Sequence, residues 1–93
     1  MNIQDILAQK NYTLIDVREP FELQLDGSIE GAVNIPTGQI EARLEEIRSI
    51  EGPKLIFCKS GGRSQGVSSY LQSKQIPEVF NAGSYIMLRH MIA

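Results

Sequence analysis

The run Leu55-Ile56-Phe57 leads without a break into Cys58-Lys59-Ser60-Gly61-Gly62-Arg63-Ser64. An uninterrupted apolar strand thus ends in a cysteine, passes through a glycine loop and opens a helix near Arg63-Ser64. A strand apolar on both faces belongs in the middle of a parallel sheet covered on both sides. In open sheets of that kind, ligands bind outside the carboxyl ends of the strands, which is where Cys58 falls. A short strand-to-helix loop turns several backbone N–H groups toward one point. The helix start adds unpaired donors and a partial positive charge. Gly61 and Gly62 permit backbone angles that other residues avoid, and Arg63 adds a permanent planar cation. A thiolate held there has its pKa lowered, because those donors stabilise the charged form. The same cradle suits the outer sulfur of a persulfide or the oxyanion end of a substrate.

Working outward, elements alternate. Ile3, Ile6 and Leu7 have helical spacing behind a possible Asn2 cap. Thr13 to Val17 is a short strand, apolar except for Asp16. Arg18-Glu19-Pro20 opens a second helix, with proline tolerated in the first turn, and Asp26-Gly27 turns the chain. Ala32 to Ile35 is a strand closed by Pro36. Ile40, Leu44 and Ile47 form one face of a third helix, ended by Gly52-Pro53. After the glycine loop, Val67, Tyr70 and Leu71 mark a helix whose small residues allow close approach to the sheet. Val79-Phe80 is a last strand turned by Asn81-Ala82-Gly83, and Tyr85 to Ile92 is helical. The alternation predicts an α/β fold with a mainly parallel sheet and leaves the strand order open.

A chain of 93 residues is enough for one domain and too short for two, so residues 1–93 are expected to form a single domain. The net charge of −2 gives no reason to expect nucleic acid or an anionic membrane as partner. Its distribution says more. No acid lies between Glu51 and Glu78, whereas Lys54, Lys59, Arg63 and Lys74 do. The surroundings of Cys58 are locally cationic and suit a small anion. One cysteine cannot form an internal disulfide, and with a single histidine it cannot build a structural zinc site. Neither metal nor cofactor is expected. The start of the chain lacks the basic and apolar segments of a signal peptide, and no apolar run is long enough to span a membrane. A cytoplasmic location is the default expectation.

Three ordered segments resemble the signature segments of the rhodanese family. They are Asp16-Val17-Arg18-Glu19-Pro20, the run Gly27-Ser28-Ile29-Glu30-Gly31-Ala32-Val33-Asn34-Ile35-Pro36, and Cys58-Lys59-Ser60-Gly61-Gly62-Arg63-Ser64. The resemblance runs from about Tyr12 to Gly83. It implies a five-stranded, mainly parallel sheet flanked by helices on both faces. It also implies a catalytic Cys58, with Lys59, Ser60, Gly61, Gly62, Arg63 and Ser64 binding substrate around it. In the family, the cysteine takes the outer sulfur of a donor such as thiosulfate, and sulfite leaves. A thiophilic acceptor, cyanide or a thiol, then removes that sulfur. Two half-reactions of this kind give ping-pong kinetics. A small anionic sulfur donor is the expected partner, with a donor or acceptor protein as the alternative for a persulfide relay. Phosphatases and arsenate reductases of related fold carry one more loop residue than the four between Cys58 and Arg63, which favours sulfur over phosphorus. A non-catalytic interaction module is the remaining reading, and the intact cysteine loop argues against it.

The sequence also departs from the family pattern. Ser28 stands where the family usually has histidine, the chain has no tryptophan, and Gly83-Ser84-Tyr85 replaces a paired glycine. These differences bear on substrate preference more than on chemistry. Bland readings compete for several residues. A cysteine is commonly a small buried hydrophobe, although its loop favours reactivity. Arg63 can pair with an acid or contact substrate, and Lys59 can be a solvated charge or a steering one. Asp16 and Arg18 are expected to brace the site rather than to act in the chemistry. His90 reads as incidental. Tyr85, Met87, Met91 and Ile92 read as packing, or as a docking patch if exposed.

Overall fold

A computed structural model describes residues 2–92. Helix α1 spans Ile3–Gln9, and the Asn2 side chain accepts the Asp5 N–H at 2.8 Å as its N-cap. Strand β1 (Thr13–Asp16) follows, then helix α2 (Pro20–Asp26), with proline at its first position. Strand β2 is reduced to Val33–Asn34. A 3₁₀ turn at Thr37–Gln39 precedes helix α3 (Leu44–Arg48). Strand β3 (Lys54–Cys58), helix α4 (Gly62–Ser73), strand β4 (Val79–Ser84) and helix α5 (Tyr85–Ile92) complete the order.

The sheet runs β2-β1-β3-β4 with every pairing parallel. Strand β3 is buried throughout and lies between β1 and β4, as its apolar run predicts. The pleat sorts its side chains. Ile56 and Cys58 join Ile15, Val17, Ile47, Val67 and Leu71 on one face, the side of α3 and α4. Leu55 and Phe57 join Ile6, Leu14, Tyr85 and Leu88 on the other, the side of α1 and α5. Cys58 therefore opens toward the helix that its own loop begins. No helix among the described residues is long and apolar enough to cross a membrane.

Three expectations need correction. Four strands form among the described residues, where the resemblance implied five. The sequence supplies only four apolar runs with strand character, and the segment before Thr13 is taken by the capped helix α1. The Asn81-Ala82-Gly83 segment is not a turn but part of β4. Ile56 pairs with Asn81 and Phe57 with Gly83, so Ala82 is an extra residue in a bulge, and Gly83 takes φ +84. The third helix does not run from Ile40 to Ile47. Ile40 follows the 3₁₀ turn and only Leu44–Arg48 is α-helical, though both isoleucines are buried as the spacing suggests.

Candidate active site

The site starts from the end of β3. Ladder pairing with Ser84 of β4 fixes Cys58 at the carboxyl edge of the sheet, where its side chain is fully buried. The chain then reverses through Lys59 and Ser60, both exposed, into Gly61. Gly61 takes φ +103 as the N-terminal cap of α4, an angle that glycine adopts readily. It also lies against β4, where a Cβ would come within 3.5 Å of the Gly83 Cα. This geometry points donors at the sulfur. The Gly61 N–H lies 3.0 Å from Cys58 Sγ and the Ser64 N–H 3.4 Å. The Ser64 hydroxyl lies 3.5 Å away. Burial pushes the Cys58 thiol up, but the Ser64 hydroxyl and the N–H groups of Ser64, Gly61 and Ser60 outweigh it. The thiol is held below its ordinary value.

Asn81, expected from the sequence only as a turn residue, completes this arrangement. Ser64 Oγ donates to Asn81 Oδ1 at 2.7 Å, and Gly61 O lies 3.0 Å away. Asn81 Oδ1 also accepts the Gly83 N–H at 3.0 Å, while its amide nitrogen donates to Gln65 Oε1 at 3.0 Å. The bulge in β4 therefore ties the loop down through a side-chain amide. Its signal in the sequence was a lone polar residue after an apolar pair, two positions before a glycine.

Asp16 and Arg18 form a brace at the end of β1. Arg18 Nη2 donates to Asp16 Oδ2 at 2.7 Å and to Gly27 O at 3.0 Å, and Arg18 Nε donates to Asp16 Oδ1 at 3.0 Å. Both residues are fully buried. The Arg18 guanidinium lies 4.1 Å from the centre of the Tyr85 ring, and Tyr85 donates its hydroxyl to Asp26 O at 3.1 Å. The brace joins β1, the end of α2 and the start of α5. Tyr85 is buried, but Met87, Met91 and Ile92 are exposed. Ser28 and His90 lie on the surface.

Arg63 is paired. Its Nη1 and Nη2 donate to the two carboxylate oxygens of Glu22 at 2.7 and 2.8 Å. Arg63 also lines a groove of about 370 Å³ with Thr37, Ile40, Val67 and Tyr70. A larger cavity of about 600 Å³ between α1 and α5 contains no residue of the cysteine loop.

The description that matches this chain over residues 2–85 is the rhodanese-like domain. The chain belongs to the rhodanese-like family. Among similar proteins, an uncharacterised Bacillus subtilis protein, YqhL, is 40% identical over 68 residues, covering 73% of this chain and 52% of its own length. The thiosulfate sulfurtransferase GlpE of Vibrio cholerae is 31% identical over 78 residues, covering 84% of this chain and 72% of the relative. A rhodanese-like chloroplast protein of Arabidopsis thaliana is 35% identical, but the match covers only 27% of it. The chain thus spans about half of the first of these relatives and about a quarter of the last. Among solved structures, the human single-domain sulfurtransferase superposes with a TM-score of 0.71 at 27% identity, covering 95% of this chain and 89% of that one. A rhodanese from E. coli, solved with anions, gives 0.69 at 26% identity, covering 81% and 88%.

Proposed function

We propose that this rhodanese-like chain is a sulfurtransferase that carries sulfane sulfur as a persulfide on Cys58. The observation that carries this reading is the set of donors converging on a buried, acidified sulfur at the end of β3. Relatives named thiosulfate sulfurtransferase and sulfurtransferase support it.

In the first half-reaction the Cys58 thiolate attacks the outer sulfur of thiosulfate. A Cys58–sulfur bond forms, the sulfur–sulfur bond of the donor breaks, and its electron pair leaves with sulfite. The outer sulfur remains in the field of the Gly61 and Ser64 N–H groups. These donors, with the start of α4, offset its negative charge. In the second half-reaction cyanide or a thiolate attacks that outer sulfur, and Cys58 departs again as the thiolate. The donor groups that acidify the thiol also make Cys58 a good leaving group. Lys59, Ser60, Gly62 and Arg63 belong to the substrate-binding loop in this proposal. Its setting is the cytoplasm, where thiols are kept reduced.

Intact mass tests the reading. Thiosulfate should add one sulfur atom to the protein, cyanide should remove it, and Cys58→Ser should add none. A cysteine that alkylates readily but gains no sulfur from thiosulfate, or from any other sulfane donor, would sink it.

A second reading, a relay between proteins, is favoured by exposed apolar side chains. Phe21 and Leu25 on α2 and Ile86 and Met87 on α5 are 60%, 77%, 48% and 68% exposed. Both helices border the cysteine loop, α2 through Glu22 and Arg63, and α5 through the adjoining end of β4. Faster loading from a cysteine desulfurase than from thiosulfate, slowed by Leu25→Ser and Met87→Ser together, would favour the relay. Equal rates in the variant and the parent would dismiss it.

A further inference from the structure

Lys59 and Arg63 are the cations of the cysteine loop, and the structure holds them differently. Lys59 is exposed, whereas Arg63 is gripped from across the site mouth by Glu22 in the first turn of α2. The grip is bidentate, with bonds of 2.7 and 2.8 Å. Glu22 is not free to swing away. Its Oε1 also accepts the Glu19 N–H at 2.9 Å, and its side chain is only 12% exposed. Arg63 holds the Glu22 carboxyl down to about 2, against burial, so it is ionised at any working pH. The Arg63 guanidinium is raised, first by Glu22 against its burial, and with smaller contributions from Cys58 and Glu19. Arg63, in the first turn of the helix that the cysteine loop opens, thus has its charge already met by a fixed anion.

We propose that Glu22 sets the donor preference of the Cys58 site. By clamping Arg63 it disfavours the small dianion thiosulfate relative to sulfane donors of lower charge, thiol-borne persulfides included. The inference rests on the sulfurtransferase reading of Cys58. A dianion that approaches α4 either competes with Glu22 for the guanidinium fork or binds beside a carboxylate that repels it. A donor with less charge meets a smaller penalty. The chemical step is the same for each. The thiolate attacks the outer sulfur, the Cys58–sulfur bond forms, and the donor's own bond to that sulfur breaks. The electron pair leaves as sulfite from thiosulfate, or as methanesulfinate from methanethiosulfonate.

That pair of donors supplies the test, since they differ by one negative charge. Glu22→Gln keeps an acceptor for the Glu19 N–H, and melting curves would verify the fold. It should raise kcat/KM for thiosulfate roughly fivefold, the worth of one screened surface charge. The gain for methanethiosulfonate should be smaller, and both gains should shrink as salt rises. An unchanged or lower thiosulfate kcat/KM, or equal gains with both donors, would overturn the proposal while leaving Cys58 a sulfur carrier. Failure of parent and variant to load sulfur from either donor would overturn the proposal together with the reading beneath it.

Discussion

Cys58 is a buried thiol whose acidity depends on a few hydrogen bonds from its own loop. Ser64 matters twice, through its N–H and through its hydroxyl. In the neutral protein the hydroxyl donates to Asn81, so it can accept from the thiol but not also donate to it. Once the sulfur ionises, a hydroxyl turned toward it gains a charge-assisted bond. Ser64→Ala removes that option while leaving the backbone cradle. The pKa of Cys58 should then move up toward the ordinary thiol value. Alkylation by iodoacetamide near neutral pH should slow roughly tenfold, the worth of one hydrogen bond to a charged group. The pH profile of alkylation checks this, and an unshifted profile would assign the acidity to the N–H groups alone. Much of this local chemistry was legible in the sequence. Cys58, Gly61 and Ser64 sit within one strand-loop-helix segment, so backbone N–H groups near the cysteine could be expected from their order, while the part of Ser64 came from the resemblance. Asn81 and Glu22 were not legible as partners. Glu22 meets Arg63 across 41 residues, and no local pattern encodes such a meeting.

At the level of elements, the end of β1 deserves its own test. The Asp16–Arg18 pair is fully buried and ties β1 to the turn after α2. Removing one partner from a buried pair strands the other charge. Asp16→Ala should lose about 3–5 kcal/mol of stability, and denaturant unfolding with an unchanged slope would verify it. A loss below about 1 kcal/mol would mean that water reaches Arg18 in the variant. The expectation that this pair braces the site rather than joining the chemistry came from resemblance; what the structure shows is that the two side chains are paired and buried. Strand boundaries were less legible. Asn81-Ala82-Gly83 carries turn residues, but β3 supplies a ladder that holds them in a bulge. Pairing with a distant strand overrode local preference there. Helix α3 shortened for a related reason. Burying Ile40 and Ile47 requires only that both reach the sheet, which a 3₁₀ turn followed by a short helix achieves.

Across the molecule, the Glu22–Arg63 pair links α2 to α4 and makes stability depend on acid. The folded-state pKa of Glu22, about 2, lies below its ordinary value of 4.5. A carboxyl shifted downward contributes stability that is present above the ordinary value and lost as pH falls through the folded one. Parent and Glu22→Gln melting temperatures should therefore differ at neutral pH and converge between about pH 4.5 and 2. A gap that persists at the acid end would show that the carboxylate charge is not its source. The overall class of fold was readable because strands and helices alternate. The sheet order was not, since each strand's neighbours depend on pairings between distant parts of the chain.

That all-parallel order has a kinetic side. No two neighbouring strands here can zip from a hairpin, because each parallel pairing waits for a long crossover to close. Chains dominated by such distant pairings fold slowly compared with helical bundles. The Gly61 and Ser64 N–H groups travel with Cys58 on one segment, but Asn81 arrives only when β4 docks on β3. During refolding, the cysteine should therefore pass through a phase in which it is enclosed by a loose loop. Its final reactivity would be set by the last strand to join.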